Sequence, residues 1–341
     1  MVPVFVLSGF LGSGKTTLLN ALLKEPAFAN TAVIVNEFGE IGLDHLLIAR
    51  GSDNVVLLDA GCLCCTIAES LHETLADLNF RKVRGEIPPF ERVIIETTGL
   101  AVPGPILNTL LGHRLVTDHY RLEAVVVAVD AQHALANLDV AAEVALQIAV
   151  ADRLVITKRD LVPVQDALVA RLDAINPHAA RFDAHDAGAL TALFGPGERY
   201  RLPHRFVHAG VRAANRRGLH VDAANRVRAD AFVLPHPTTW SGIAAWWGVA
   251  STEFGDRLLR CKGLLEIVET GEIVFVQGVQ RIFHAPERLS GWPDADHRSR
   301  LVCITRDVDA AELRRTLRAF DAPAGTPPAM KVSDFPLENL Q

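Results

Sequence analysis

The chain has 341 residues, of which 49% are hydrophobic and 22% charged, and this composition excludes an intrinsically disordered protein. Lys and Arg number 34 against 40 Asp and Glu, a net charge of -6 without a basic run, so no nucleic-acid partner is expected. Five cysteines are too few for a disulfide framework in a chain of this length, and no stretch is apolar enough to span a membrane. We therefore expect a cytoplasmic protein with no membrane association.

The first part of the chain alternates short apolar runs with helical patterns. Near-continuous apolar strands separated by helices predict a parallel sheet with helices on both faces, which is a doubly wound α/β domain. We assign this domain to residues 1–200. Its predicted strands are residues 3–8, 31–36, 54–58, 92–96, 122–129 and 153–157.

The character of the sequence changes after residue 200. Arg, His, Asn and Gly are scattered through residues 201–228, which we assign to a linker region. Residues 229–322 predict a smaller α+β domain, and residues 323–341 a loose tail. The predicted strands of the second domain are residues 229–234, 258–268, 273–276 and 301–305, with helical patterns near residues 240–251 and 310–320.

Two cysteines and three tryptophans in the second domain could belong either to a functional site or to the hydrophobic core. Cys261 and Cys303 lie within apolar strand patterns, which favours buried core thiols over metal ligands. Trp240, Trp246 and Trp247 have helical spacing, and packing against the sheet is favoured over a surface for binding a partner.

A phosphate-binding motif follows the first predicted strand. Residues 9–16 match the pattern G-x-x-x-x-G-K-T between a strand and a helix, which is the context that the motif requires and which indicates a P-loop NTPase fold. We expect Lys15 to contact the β- and γ-phosphates and the Thr16 hydroxyl to coordinate Mg2+. The predicted nucleotide-binding residues of this motif are Gly9, Gly12, Ser13, Gly14, Lys15, Thr16 and Thr17.

A second acidic residue near the magnesium is expected at the end of another core strand. Glu96 ends the strand at residues 92–96 and is assigned to the magnesium ion or the attacking water, so Lys15, Thr16 and Glu96 form the predicted catalytic set. Gly99 follows it, and its backbone could approach the γ-phosphate and so report its presence.

The choice of base depends on residues 157–160, Thr-Lys-Arg-Asp, at the end of the strand from residue 153. They resemble the guanine motif N-K-x-D. Asp160 would accept hydrogen bonds from the N1–H and N2 amino group of guanine, Lys158 would lie along the base, and Thr157 replaces the usual Asn. The pattern favours GTP, while a polar turn in an ATP-binding protein remains an alternative.

A cluster of three cysteines, Cys62, Cys64 and Cys65, predicts a metal site. A helix is predicted directly after it, and the positive end of a helix lowers thiol pKa values and favours metal-binding thiolates. Three thiolates suit zinc or copper(I), and we favour Zn2+. A redox switch and structural cysteines are the alternatives, and His113 and His119 are candidate additional ligands.

The segment at residues 37–44 could connect the two sites, because the two glutamates Glu37 and Glu40 and two glycines follow a strand there. Glu37 is our candidate for a residue that contacts metal, and movement of this loop would let GTP hydrolysis alter metal affinity. An ordinary acidic surface turn is the alternative.

Taken together, these motifs resemble the CobW family of GTPases, which is related to UreG and HypB. The sequences at residues 258–265 and 276–280 resemble the family's C-terminal domain, so the similarity covers nearly the whole chain. The resemblance implies a GTP-dependent metallochaperone with GTP, Mg2+ and Zn2+ as ligands. It further implies a client metalloprotein as partner and a homodimer whose formation depends on the nucleotide.

Three other functions stay open at this point. Cobalt delivery in cobalamin biosynthesis differs from zinc delivery in its metal. A non-catalytic metal sensor would bind the nucleotide without hydrolysing it, and an ATPase would prefer adenine.

Overall fold

The computed structural model describes residues 1–35, 56–59, 67–195, 221–222 and 226–325. The chain divides into two compact units. The first comprises Met1–Asp173 and His178–Arg199, and the second comprises Ala174–Pro177 and Tyr200–Gln341. Within the described ranges, none of the helices has both the length and the apolar character needed to cross a bilayer.

The first unit contains a seven-stranded sheet in which every pair of neighbouring strands is parallel. Its order is β3-β2-β4-β1-β5-β6-β7, which places β1 at the centre between β4 and β5. The predicted parallel α/β fold is confirmed. The strands are β1 (Val2–Gly9), β2 (Thr31–Val35), β3 (Val56–Asp59), β4 (Arg92–Glu96), β5 (Tyr120–Asp130), β6 (Arg153–Thr157) and β7 (Ala180–Asp183).

Strand β7 was not predicted from the sequence. It lies at one edge of the sheet, and all four of its residues are partly or fully exposed. Such a strand needs no run of apolar residues, so it lacks the pattern that identifies the buried strands.

Helices follow the strands of the first unit. One sheet face carries Phe5 and Leu7, which belong to the same buried cluster as Leu22 and Phe194 of two helices. The rings of Phe5 and Phe194 meet edge to face at 5.8 Å. The helices described in this unit are α1 (Lys15–Leu23), α2 (Ile67–Val83), α3 (Gly104–Gly112), α4 (Arg114–Thr117), α5 (Ala134–Val140), α6 (Ala142–Val150), α7 (Asp166–Ile175) and α8 (Ala189–Phe194).

The second unit is an antiparallel sheet with the order β12-β11-β10-β14-β9-β8, and β13 pairs with β11. This architecture agrees with the predicted α+β domain. Its elements are β8 (Val221–Asp222), β9 (Val227–Val233), α9 (Trp240–Glu253), β10 (Leu258–Glu266), β11 (Ile273–Val279), β12 (Ile282–Phe283), β13 (Glu287–Leu289), β14 (Arg300–Arg306) and α10 (Ala310–Thr316).

The core of the second unit contains the aromatic and sulfur side chains whose roles were open. Trp246 and Trp247 are fully buried in one apolar cluster, so their expected packing role is confirmed. Cys261 and Cys303 face each other in register on β10 and β14, and both are buried free thiols, as expected. Burial raises the pKa of the Cys261 thiol to about 12, so this thiol stays protonated at neutral pH.

Candidate nucleotide site

The predicted phosphate loop connects the end of β1 with the start of α1 at the centre of the sheet. Gly9 begins the loop with φ of 140°, and a Cβ atom there would lie 2.5 Å from the carbonyl oxygen of Ala128 on β5. Only glycine fits at this turn. The first amides of α1 have no partners within the helix, and such amides are suited to bind phosphate oxygens.

Lys15 and Thr16 open α1 and turn toward different partners. The Lys15 ammonium donates to the carbonyl oxygens of Gly9 and Phe10 at 2.9 and 3.2 Å, so it lies inside the curve of the loop. The Thr16 hydroxyl donates to the carboxylate of Glu96 at 2.9 Å. The structure therefore brings together all three residues of the predicted catalytic set.

The segment after β4 packs directly on the phosphate loop. Its first residue, Thr97, donates its amide to Leu7 on β1 at 2.9 Å and its hydroxyl to Ser8 at 3.0 Å. A Cβ atom at Gly99 would lie 2.6 Å from the amide nitrogen of Leu11 and 2.8 Å from its Cα. The approach of Gly99 to the γ-phosphate stays a prediction, whereas its close approach to the phosphate loop is a feature of the structure.

Thr157 connects the guanine motif to the phosphate loop. Its buried hydroxyl lies 2.8 Å from the Ser13 carbonyl oxygen and 3.2 Å from that of Val129, and it can donate to either. A threonine at this position thus ties β6 to the loop through its hydroxyl, although it lacks the amide of the usual asparagine.

Lys158 is held by a carboxylate that was not predicted from the sequence. Its backbone has φ of 60°, and its ammonium donates to Asp130 at 2.8 Å, at the end of β5. Burial favours a higher pKa for Asp130, but hydrogen bonds from Lys158, from the His133 side chain and from the Gln132 amide outweigh it, so the pKa lies below its usual value. The sequence did contain a signal, because Asp130 follows an apolar strand just as Glu96 does.

Asp160 follows β6 in the guanine motif, and its side chain is 58% exposed. One carboxylate oxygen is 3.4 Å from Nε2 of His185, which follows β7. The Nδ1 atom of the same imidazole is 3.3 Å from Asp183, the last residue of β7. His185 was missed because the strand that carries it was missed.

These elements enclose a cavity of about 410 Å³, within the range of small-molecule sites. Gly9, Thr157 and Asp160 are not among the residues that line it. The lining residues are Leu11, Gly12, Ser13, Gly14, Lys15, Thr16, Thr17, Glu96, Thr97, Thr98, Gly99, Leu100 and Lys158. Backbone amides and the ammonium groups of Lys15 and Lys158 suit the phosphates, and adjacent hydroxyl and carboxylate oxygens suit Mg2+, so the residues fit both groups.

The predicted metal ligands Cys62, Cys64, Cys65 and Glu37 lie outside the described residues. Among the residues that are described, no group of three or more His, Cys, Asp or Glu is arranged to hold a metal ion. Helix α2 begins at Ile67, where the sequence predicted a helix.

Two histidines stack near the start of α2. The ring of His72 on α2 lies 4.0 Å from that of His113, which follows α3. Burial, together with the neighbouring His72, lowers the pKa of His113, and so favours its neutral form at physiological pH.

Comparisons with known proteins cover both units. Residues 3–183 match the model of the CobW/HypB/UreG nucleotide-binding domain, and residues 227–321 match that of the cobalamin synthesis protein cobW C-terminal domain. Over 315 residues the chain is 32% identical to the zinc chaperone YjiA of Escherichia coli (strain K12), covering 92% of this chain and 96% of that protein.

Two further matches agree with this one. The chain is 33% identical over 177 residues to zinc-regulated GTPase metalloprotein activator 1 of Schizosaccharomyces pombe, covering 50% of this chain and 42% of that protein. The crystal structure of Zn(II)-bound YjiA GTPase from E. coli superimposes with a TM-score of 0.67 at 28% identity, covering 94% of this chain and 98% of that one.

Proposed function

The chain belongs to the CobW/HypB/UreG family, as its motifs predicted, and from that membership we propose that it is a GTP-dependent zinc chaperone. It hydrolyses GTP at the phosphate loop, holds Zn2+ at Cys62, Cys64 and Cys65, and passes the metal to a client metalloprotein. The observation that carries this proposal is the similarity to a zinc chaperone over 96% of that protein's length.

The geometry of the cavity supports the hydrolytic half of the proposal. The first amides of α1 bind the phosphates, and the Lys15 ammonium moves from the carbonyls of Gly9 and Phe10 to the β- and γ-phosphate oxygens. Thr16 and Glu96 would hold Mg2+, which neutralises phosphate charge when bound. Charge neutralisation and positioning supply most of the rate in such enzymes.

Base selection is assigned to the loop after β6. The Asp160 carboxylate accepts hydrogen bonds from guanine, which has two adjacent donors where adenine has none. Lys158 lies along the base, and its contact with Asp130 fixes the direction of its side chain. The side chain of Asp160 is 58% exposed, so it is accessible to an incoming nucleotide.

Zinc is the cargo of this protein and not a structural ion. Three thiolates leave one position of a tetrahedral zinc for a further ligand or for a client. His72 and His113 are our candidates among the described residues, since His72 lies on the helix that follows the cysteines. The segment with Glu37 would connect the metal to the nucleotide.

The test measures zinc affinity and GTP turnover on the purified chain. We compare the wild type with a Cys62→Ala, Cys64→Ala, Cys65→Ala variant, each with GTP and with GDP, and include cobalt as a competing metal. The matched control is Cys261→Ala, which removes a buried thiol far along the sequence from the motif.

We expect the triple variant to lose tight zinc binding, the control to keep it, and the zinc affinity of the wild type to depend on the nucleotide. The absence of GTP hydrolysis with and without zinc would refute the enzymatic part and favour a sensor. Tighter binding of cobalt than of zinc would refute zinc as the cargo. Tighter binding of ATP than of GTP would refute guanine as the preferred base.

A further inference from the structure

One buried polar side chain on α6 is not among the residues that line the nucleotide cavity. Gln147 is 1% exposed, and its helix neighbours from Val144 to Val150 are all buried. Its side-chain amide donates to the carbonyl oxygens of Gly99 and Ala101, at 3.0 Å each. Because both partners are carbonyls, which only accept, the orientation of the amide is determined by its contacts.

These two hydrogen bonds are the last of the contacts that attach residues 97–101 to the rest of the first unit. The segment starts on the sheet through the contacts of Thr97, and its middle touches the phosphate loop where Gly99 meets Leu11. Its end is a turn in which the amide of Ala101 donates to Thr98 at 3.1 Å. Gln147 holds the carbonyls on both sides of Leu100, which is itself 49% exposed and lines the nucleotide cavity.

The position of the Gly99 carbonyl also fixes neighbouring amides, because a peptide unit is planar. Rotation of the peptide that follows Gly99 turns its carbonyl and the Leu100 amide together. A backbone amide in this segment can donate a hydrogen bond to a γ-phosphate oxygen in only one orientation of its peptide plane, and Gln147 restricts the orientations that this plane can adopt.

The amide oxygen of the same side chain favours a second arrangement of residues 97–101 or of the phosphate loop. The Oε1 atom of Gln147 is buried and has no hydrogen-bond donor among the described residues. Gln147 also lines a small cavity of about 10 Å³, together with Phe10, Leu11 and Ser13 of the phosphate loop. A buried acceptor without a partner raises the free energy of the state that contains it, so a small shift of loop or segment that supplies a donor is favoured.

We propose that Gln147 is the positioning residue that couples residues 97–101 to the γ-phosphate, and so sets the preference for GTP over GDP. It touches neither nucleotide nor metal, and acts by holding the carbonyls of Gly99 and Ala101. This inference rests on the proposed GTPase function.

The experiment measures the affinity for GDP and for the β,γ-imido analogue of GTP by calorimetry, and reports their ratio. Gln147→Met keeps the approximate size and removes both hydrogen bonds. Gln147→Glu keeps the shape but, when ionised, places a carboxylate against two carbonyl oxygens. Tyr120→Phe is the matched control, because it removes another buried hydrogen bond of the same unit, from the Tyr120 hydroxyl to Leu75.

We expect both Gln147 variants to lose about tenfold in the ratio at pH 8, with GDP affinity close to that of the wild type. Tyr120→Phe should keep the wild-type ratio. For Gln147→Glu the ratio, normalised to wild type at each pH, should recover between pH 8 and pH 5, because a buried carboxyl gains a proton and can again donate. The pH dependence of this variant decides the matter if Gln147→Met does not fold.

If Gln147 has a purely structural role, the affinities for GDP and for the GTP analogue should fall together or stay unchanged. Either result would overturn the inference, and so would a ratio for Gln147→Glu that does not change with pH. Failure of the proposed function itself would look different, because the wild type would then not bind or hydrolyse GTP.

Discussion

The contact between Gly99 and the phosphate loop makes a sharp prediction for Gly99→Ala. The new methyl group would lie 2.6 Å from the amide nitrogen of Leu11 and 2.8 Å from its Cα, distances that real Cβ atoms do not show. These are backbone atoms, so no side-chain rotation can relieve the clash. The loop or residues 97–101 must move by several tenths of an ångström.

Overpacking of this kind costs about 1–3 kcal/mol, and the movement falls on the atoms that bind phosphate. Since about 1.4 kcal/mol corresponds to a factor of ten, we expect the affinity of Gly99→Ala for GTP to fall about fivefold to a hundredfold. Calorimetric titration with a non-hydrolysable GTP analogue measures this effect, and urea unfolding measures the accompanying loss of stability.

Gly85→Ala is the matched control. Gly85 has φ of 70°, and no atom of the described residues would lie within 4 Å of a methyl group added there, so alanine strains only its own backbone. We expect a loss of about 1–2 kcal/mol of stability with nucleotide affinity unchanged. Wild-type affinity in Gly99→Ala, or an equal loss in both variants, would refute the reasoning.

Three further predictions test other contacts. Thr157→Val removes the hydroxyl that holds the phosphate loop and should weaken GTP binding by about 1–2 kcal/mol, whereas Thr157→Ser should restore it; titration of both checks this. Asp130→Asn should lower stability and free Lys158. The pKa of Asp130 in the folded state is lowered, so the ionised carboxylate contributes fully to the free energy of unfolding above the ordinary pKa of 3.8, and this contribution is lost as the pH falls through the lower folded pKa. The difference in urea unfolding between Asp130→Asn and the wild type should therefore shrink below pH 4. Trp246→Ala should destabilise the second unit by about 3–5 kcal/mol in calorimetry, and the partly exposed Trp240→Ala by clearly less.

Much of the fold was predictable because its signals are local. Buried parallel strands such as β1 and β6 need continuous apolar runs, and both were located from those runs. The edge strand β7 carries no such run and was missed, and with it His185, which contacts Asp160.

Two more residues of the site were missed for different reasons. Asp130 had the same signal as Glu96, an acid at the end of an apolar strand, but no motif drew attention to it. Gln147 is a single polar residue in the apolar helix α6, and a sequence alone does not show what such an amide contacts. The predicted cysteine ligands lie outside the described residues, so their site remains a prediction.

The sequence by itself determined the chemistry that neighbouring residues can carry, such as the phosphate motif at residues 9–16, the guanine motif at residues 157–160 and the cysteine cluster at residues 62–65. Only the tertiary structure decided which of these groups meet. Thr16 reaches Glu96 across 80 residues, Gln147 reaches Gly99 across 48, and Thr157 reaches Ser13 across 144. The reason is physical: patterns of residues fix local backbone and burial, whereas the order of strands in the sheet, with β1 between β4 and β5, brings distant loops to one edge.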